Sequence, residues 1–74
     1  MKTKKYTIEC DSIHIRYDNY SSAVKSAKTL SNGKTIHVLE TILNENEEVI
    51  SSRIVRIYRN GVQIKPVKEK SNDN

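Results

Sequence analysis

Apolar residues alternate with polar ones along most of the chain and change to a helical spacing in one segment. Alternation over residues 6–10 and 13–17 predicts two strands, and Asp11-Ser12 between them would form a two-residue turn that pairs Cys10 with Ile13. A helical i, i+3, i+4, i+7 spacing follows in YDNYSSAVKSAKTLSNGK, at Tyr20, Ala23, Val24, Ala27 and Leu30. We therefore expect a helix of about three turns, with Asp18 or Asn19 as N-cap and Asn32-Gly33 as its end.

The C-terminal part, RIVRIYRNGVQIK at residues 53–65, predicts a hairpin around Asn60-Gly61, because a type I′ turn needs two residues that tolerate positive φ. Strand alternation would put Arg53 and Arg59 on one face and Arg56 on the other. Pairing across the turn groups Val55, Ile57, Val62 and Ile64 as the predicted core side. The opposite side would carry Ile54, Arg56, Tyr58 and Gln63.

Between the helix and this hairpin, residues 34–43 predict a strand that is apolar on both faces, as suits a central strand or a second apolar surface that something must cover. NENEE would then turn into a strand that begins near Val49. The order β-β-α-β-β-β predicts an α+β fold, an antiparallel sheet with one helix packed on one face. We expect one domain over residues 1–66 and a disordered polar tail over 67–74. The predicted inner face is Tyr6, Ile8, Ile13, Ile15, Ile36, Val38, Val55, Ile57 and Ile64.

Composition limits the classes of function. A hydrophobic content of 35% without Trp or Phe predicts a thin core in a chain of 74 residues, so a second copy or a partner could be needed to cover an apolar face. No long apolar run or signal-peptide core is present, which leads us to expect a cytoplasmic protein without a membrane span. His14, His37 and the single Cys10 show no catalytic or zinc-binding spacing, so we expect neither an enzyme nor a cofactor.

Nucleic-acid binding is one hypothesis, because 13 Lys and Arg against 9 Asp and Glu give a formal net charge of +4. If the helix covers one sheet face, the other would combine cations with an aromatic ring, the mixture that sheet-based binders of single strands use. An ordinary solvated sheet face with cross-strand charge pairs explains the same residues. The residues predicted for this site are His14, Arg16, Arg56, Tyr58 and Lys65.

Protein binding is the favoured hypothesis. Ile54, Leu39 and Leu43 would add apolar surface away from the helix, beside the residue types that contribute most energy to interfaces, Arg and Tyr. The last hairpin could also leave an edge strand that pairs with another chain. A homodimer that buries the same face is a second alternative. The residues predicted to bind a protein partner are Arg53, Arg56, Tyr58 and Arg59.

The stretch YDNYSSAVKSAKTLSNGKTIHVLE, together with a composition rich in Lys, Asn and Ile, resembles small phage and mobile-element proteins of low-GC Gram-positive bacteria. The resemblance implies an accessory protein that binds one host or viral macromolecule, a class that includes inhibitors of host defence such as anti-CRISPR proteins. The chain departs from DNA mimics among those inhibitors, which need a dense acidic surface. No functional residue is carried over from the resemblance.

Overall fold

The computed structural model describes residues 2–64, which form one five-stranded sheet and one helix. The elements are β1 (Thr3–Cys10), β2 (Ile13–Tyr17), α1 (Tyr20–Leu30), β3 (Thr35–Leu43), β4 (Val49–Arg59) and β5 (Val62–Ile64). Every neighbouring pair of strands is antiparallel, in the order β2-β1-β3-β4-β5. The predicted α+β class is confirmed, and β3 is central as expected. The predicted tail, 67–74, lies outside the described residues.

The helix begins and ends where the sequence predicts. The Asn19 side chain accepts a hydrogen bond from the Ser22 backbone N–H at 2.8 Å, which satisfies one of the unpaired donors of the first turn. After Leu30 the chain leaves the helix, and Gly33 has a φ of +73°, a left-handed conformation that a side chain disfavours. The 11 residues of α1 pack against β1, β2, β3 and β4.

The core lies between α1 and one face of the sheet, which we call the helix side. Two small residues of the helix, Ala23 and Ala27, are fully buried and let the helix backbone approach the strands closely. The largest member of the cluster, Tyr58, is only 3% exposed. The buried cluster consists of Ile8, Ala23, Ala27, Ile36, Val38 and Tyr58.

The structure corrects the predicted faces of the last hairpin. The predicted pairs across Asn60-Gly61 are correct, since Arg59 pairs with Val62 and Ile57 with Ile64. The prediction of which side of the hairpin meets the helix was wrong, however, because Tyr58 pairs with the core residue Ile36. Ile57 and Ile64 consequently lie on the other side of the sheet, which we call the open face.

A bulge in β4 explains part of this error. Val38 pairs with Arg56 but the next residue, Leu39, pairs with Ile54, so Val55 is an extra residue in β4. The bulge lets Val55 pack against the core cluster as predicted, although Arg56 beside it also lies on the helix side.

Ile15 is a smaller departure from the predicted inner face. It pairs with Ile8 on the helix side but remains 41% exposed, because β2 is an edge strand.

Polar contacts attach the turn of the last hairpin to the end of the helix. The buried Ser31 hydroxyl donates to the Lys28 carbonyl at 2.8 Å and accepts from the Gly61 N–H at 2.7 Å. The Ser31 carbonyl accepts from the Asn60 N–H at 2.7 Å, and the Asn60 side chain accepts from the Gly33 N–H at 2.8 Å. Asn60 and Gly61 have φ values of +53° and +78°, the left-handed pair that a type I′ turn requires. The helix end therefore fixes the position of β4 and β5.

Truncation of the fully buried Ile8 to Ala should lower the free energy of unfolding by about 2–4 kcal/mol, because lost burial and a residual cavity add together. Val62, which is 62% exposed, provides the matched control. Val62→Ala should change the free energy of unfolding by less than about 0.5 kcal/mol. Urea denaturation of both variants measures the difference. Equal losses would contradict the placement of the core.

Tyr58→Ala should destabilise the fold by about 3–5 kcal/mol, since it removes the largest side chain of the core cluster. Tyr58→Phe keeps the ring and should remain close to the parent in stability. Thermal unfolding of the two variants separates a core role from a surface role. A Tyr58→Ala protein as stable as the parent would place this ring outside the core.

Burial raises the pKa of the Tyr58 phenol above its ordinary value of 10.0, with the Tyr20 phenol adding to the rise and Arg56 opposing it. Because the pKa is higher in the folded chain, the contribution to stability is complete below about pH 10 and is lost as the pH rises through the folded-state pKa. Urea denaturation between about pH 9 and 11 should show a shallower loss of stability for Tyr58→Phe than for the parent. Identical slopes would contradict the raised pKa.

Candidate functional site

The three arginines of β4 are divided between the two faces of the sheet in a way that alternation alone does not predict. Arg53 pairs with Glu40 and Arg56 with Val38, both on the helix side, whereas Arg59 pairs with Thr35 on the open face. The expectation that Arg53 and Arg59 share a face was wrong, because the extra residue Val55 shifts the alternation between them.

Arg56 and Tyr58 lie beside the helix rather than on a face away from it. The Arg56 guanidinium lies over the ring of Tyr20, 5.9 Å from its centroid, and donates to the Val55 carbonyl at 2.7 Å. The Lys28 ammonium lies over the Tyr58 ring at 5.9 Å. Both are cation–π contacts that attach cations of the surface to aromatic rings. The sequence did not predict Lys28 or Tyr20 as site residues, since their contacts with β4 depend on how the helix crosses the sheet.

Several cationic side chains lie on the helix side of the sheet, beside β4 and the helix. Glu40 accepts from Arg53 Nε at 3.1 Å and lies 3.5 Å from Lys4 Nζ, so one carboxylate serves two cations. Within residues 2–64, neither Arg56 nor Lys28 forms a salt bridge. We call the set of four cations the cationic strip: Lys4, Lys28, Arg53 and Arg56.

The open face of β3, β4 and β5 carries a group of apolar side chains beside polar ones such as His37, which pairs with Ile57. Leu39 pairs with Ile54, and Ile57 pairs with Ile64. Ile57 is buried by its neighbours, but Ile54 is 47% exposed and Ile64 39% exposed. Arg59 lies at the end of this surface, where its guanidinium donates to the Thr35 hydroxyl at 2.8 Å. We call the five apolar residues the apolar patch: Leu39, Ile54, Ile57, Val62 and Ile64.

The residues predicted for nucleic-acid binding are not brought together on one face. His14 and Arg16 lie on the open face of β2, at the opposite edge of the sheet from β4, while Arg56 and Tyr58 lie on the helix side. Tyr58 has too little exposed ring to stack on a base. Lys65 lies outside the described residues.

Some of the basic residues near β2 form ion pairs with acidic side chains of this chain. His14 Nδ1 lies 3.1 Å from a Glu9 carboxylate oxygen, and the Lys5 ammonium forms a salt bridge with Asp18. A hydrogen bond from Lys5, together with its charge, lowers the pKa of the Asp18 carboxyl below its ordinary value. The exposed cations of this region therefore do not form a continuous basic surface.

A groove at one end of the open face combines both signs of charge. It has a volume of about 1050 Å³, and its lining includes Glu9, Asp11, His14, Lys34, His37 and Arg59. Among residues 2–64 no group of three or more His, Cys, Asp or Glu side chains is placed to hold a metal ion. Within the same range, no helix has the length and apolar character needed to cross a membrane.

The most distinctive surfaces are thus the two sides of β4, one apolar and one cationic. Arg53 and Arg56 of the predicted protein-binding set belong to the cationic strip, Arg59 borders the apolar patch, and Tyr58 supports the strand from the core. Comparison of the chain with protein-family models, curated proteins and solved structures finds no match.

Proposed function

We propose that this protein is a small non-enzymatic binding module whose partner is another protein, docked on the apolar patch. The observation that supports the proposal is the exposure of Ile54, Val62 and Ile64 on the open face, away from the layer that α1 covers. Apolar side chains that adjoin one another at the surface are typical of protein interfaces. The role agrees with an accessory protein of a phage or mobile element acting on a host or viral protein.

The apolar patch is similar to the apolar centre of a protein interface, and Arg59 at its border is similar to the polar rim of one. Covering the exposed part of each of Ile54, Val62 and Ile64 would contribute up to about 1 kcal/mol, before the costs of association. Arg59 at the border offers N–H donors beyond the one that bonds Thr35. The expected partner surface is therefore apolar at its centre, with an acidic or carbonyl group placed to meet Arg59.

The polar contacts between Ser31 and the Asn60-Gly61 turn support this proposal further. They hold the hairpin against the helix end, so the patch is presented on a fixed framework. A preformed surface loses less conformational entropy on binding than a mobile one. This surface could therefore bind a partner without rearrangement of β4 and β5.

The proposal predicts a discrete cross-link between the apolar patch and a second protein. A photoreactive phenylalanine derivative at position 62 should yield one heteromeric product on illumination in the cells from which the protein comes, because Val62 is the most exposed member of the patch. The same group at Ser21, on the exposed surface of the helix, is the matched control and should yield none. Mass spectrometry of the product identifies the partner.

A second variant tests whether the product depends on the patch. Ile64→Lys places a charge in the patch without touching the buried cluster and should reduce the yield of the position 62 product about tenfold. Equal yields from positions 62 and 21 would overturn the proposal. A product of twice the chain mass would replace it with self-association of this face.

A further inference from the structure

The outer edge of β4 is unpaired over most of its length within residues 2–64. β3 pairs with β4 from Val49 to Arg59, but β5 pairs only with Ile57–Arg59. An unpaired edge presents a row of backbone N–H and C=O groups to which another strand can add. Register shifts lie on both sides of the stretch Ser51–Ile54, which pairs regularly with β3. We call Ser51–Ile54 the edge segment.

The side chains beside this edge have different chemistry on the two faces of the sheet. On the helix side, Arg53 and Arg56 extend from the strand as members of the cationic strip. On the open face, Ile54 is 47% exposed and the neighbouring Ser52 is exposed as well. A strand added to this edge would alternate in the same way, because residues directly opposite each other point to the same face.

The charge of the cationic strip indicates what such a strand should carry. Glu40 is its single carboxylate within residues 2–64, against four cations. Arg53 uses only Nε for Glu40, and Arg56 uses Nη1 for the Val55 carbonyl. Since a guanidinium has five N–H donors, both arginines have donors left for a carboxylate.

We propose that the edge segment binds an extended segment of a partner protein by strand addition, with an acidic residue facing Arg53 and an apolar residue facing Ile54. The inference rests on the proposed protein-binding function and names a second contact, distinct from the apolar patch. Backbone hydrogen bonds provide affinity in this mode of recognition, and alternate side chains provide specificity.

Charge complementarity favours this occupant over two others. The chain's own residues 65–74, KPVKEKSNDN, contain three lysines against two acidic residues and a proline that lacks an N–H. A second copy would bring the same arginines along the same edge. An acidic strand would pair with the excess positive charge of the cationic strip. We therefore expect it to bind in preference to residues 65–74 or a second copy.

Two synthetic peptides test the proposal on the full chain. One alternates Glu with Val over about eight residues, a usual strand length, and the other replaces each Glu with Lys. In a two-dimensional amide NMR titration at low salt, the Glu-Val peptide should shift the resonances of Ser51–Ile54, and the Lys-Val peptide should not. Shifts that are equal with both peptides, or absent with both, would overturn the proposal.

Charge variants test the role of the cationic strip. The double variant Arg53→Gln, Arg56→Gln should bind the Glu-Val peptide about tenfold more weakly, as expected for the loss of two partly exposed ion pairs. Lys25→Gln with Lys34→Gln removes the same net charge at two exposed positions outside both binding surfaces and should leave the affinity unchanged. Equal weakening in both double variants would show that only net charge matters, which contradicts the proposed register.

Proline variants test the backbone contact. Because N–H groups of successive strand residues point to opposite edges, one of Ser51 and Ser52 directs its N–H outward. The proline variant at that position should keep the thermal stability of the parent and lose peptide binding, whereas the other should be destabilised. Binding retained in the stable variant would exclude strand addition.

The same experiments separate this inference from the proposed function. If the stable proline variant still yields the cross-link at position 62, the apolar patch binds its partner independently of the edge. Sedimentation of the free protein across a dilution series provides the last control. A concentration-dependent dimer that the stable proline variant abolishes would assign the edge to a second copy and overturn the acidic partner.

Discussion

In residues 2–64, one helix of 11 residues has to cover one face of a five-stranded sheet, and the rest of this fold depends on how it does so. Ala23 and Ala27 bring the helix close to the strands, and the Tyr58 ring supplies volume that these small residues do not. The chain has no second helix within residues 2–64 to cover the open face. The side of β4 that faces the helix therefore contributes Tyr58 to the core, whereas Ile54 on the other side stays partly exposed.

The bulge at Val55 determines how charge is distributed around β4. An uninterrupted strand would place Arg56 opposite to Arg53, and each face would carry isolated cations. With one extra residue, Arg53 and Arg56 lie on the same side of the sheet, where they join Lys4 and Lys28. The open face keeps the apolar patch, with Arg59 at its border. One strand thus presents two surfaces of different chemistry.

These two surfaces meet at the outer edge of β4. A partner that docks on the apolar patch and also extends a strand along the edge segment would use both, and each contact would raise the effective concentration of the other. The Ser31 contacts with the Asn60-Gly61 turn matter here because they hold β4 and β5 in place at one end. Stability of the hairpin and the proposed binding at its surface would thereby be linked through the same buried serine.

The sequence by itself determined the α+β class, the helix with a cap at Asp18 or Asn19, and the strand pairs across both two-residue turns, because these depend on local periodicity and turn chemistry. The structure selected Asn19 as the cap. It also indicated β4 as the strand with the candidate binding residues. Only the tertiary structure decided which face of β4 meets the helix. Both faces of this strand carry bulky apolar residues, and the bulge that regroups its arginines arises from pairing with β3, which local periodicity does not encode.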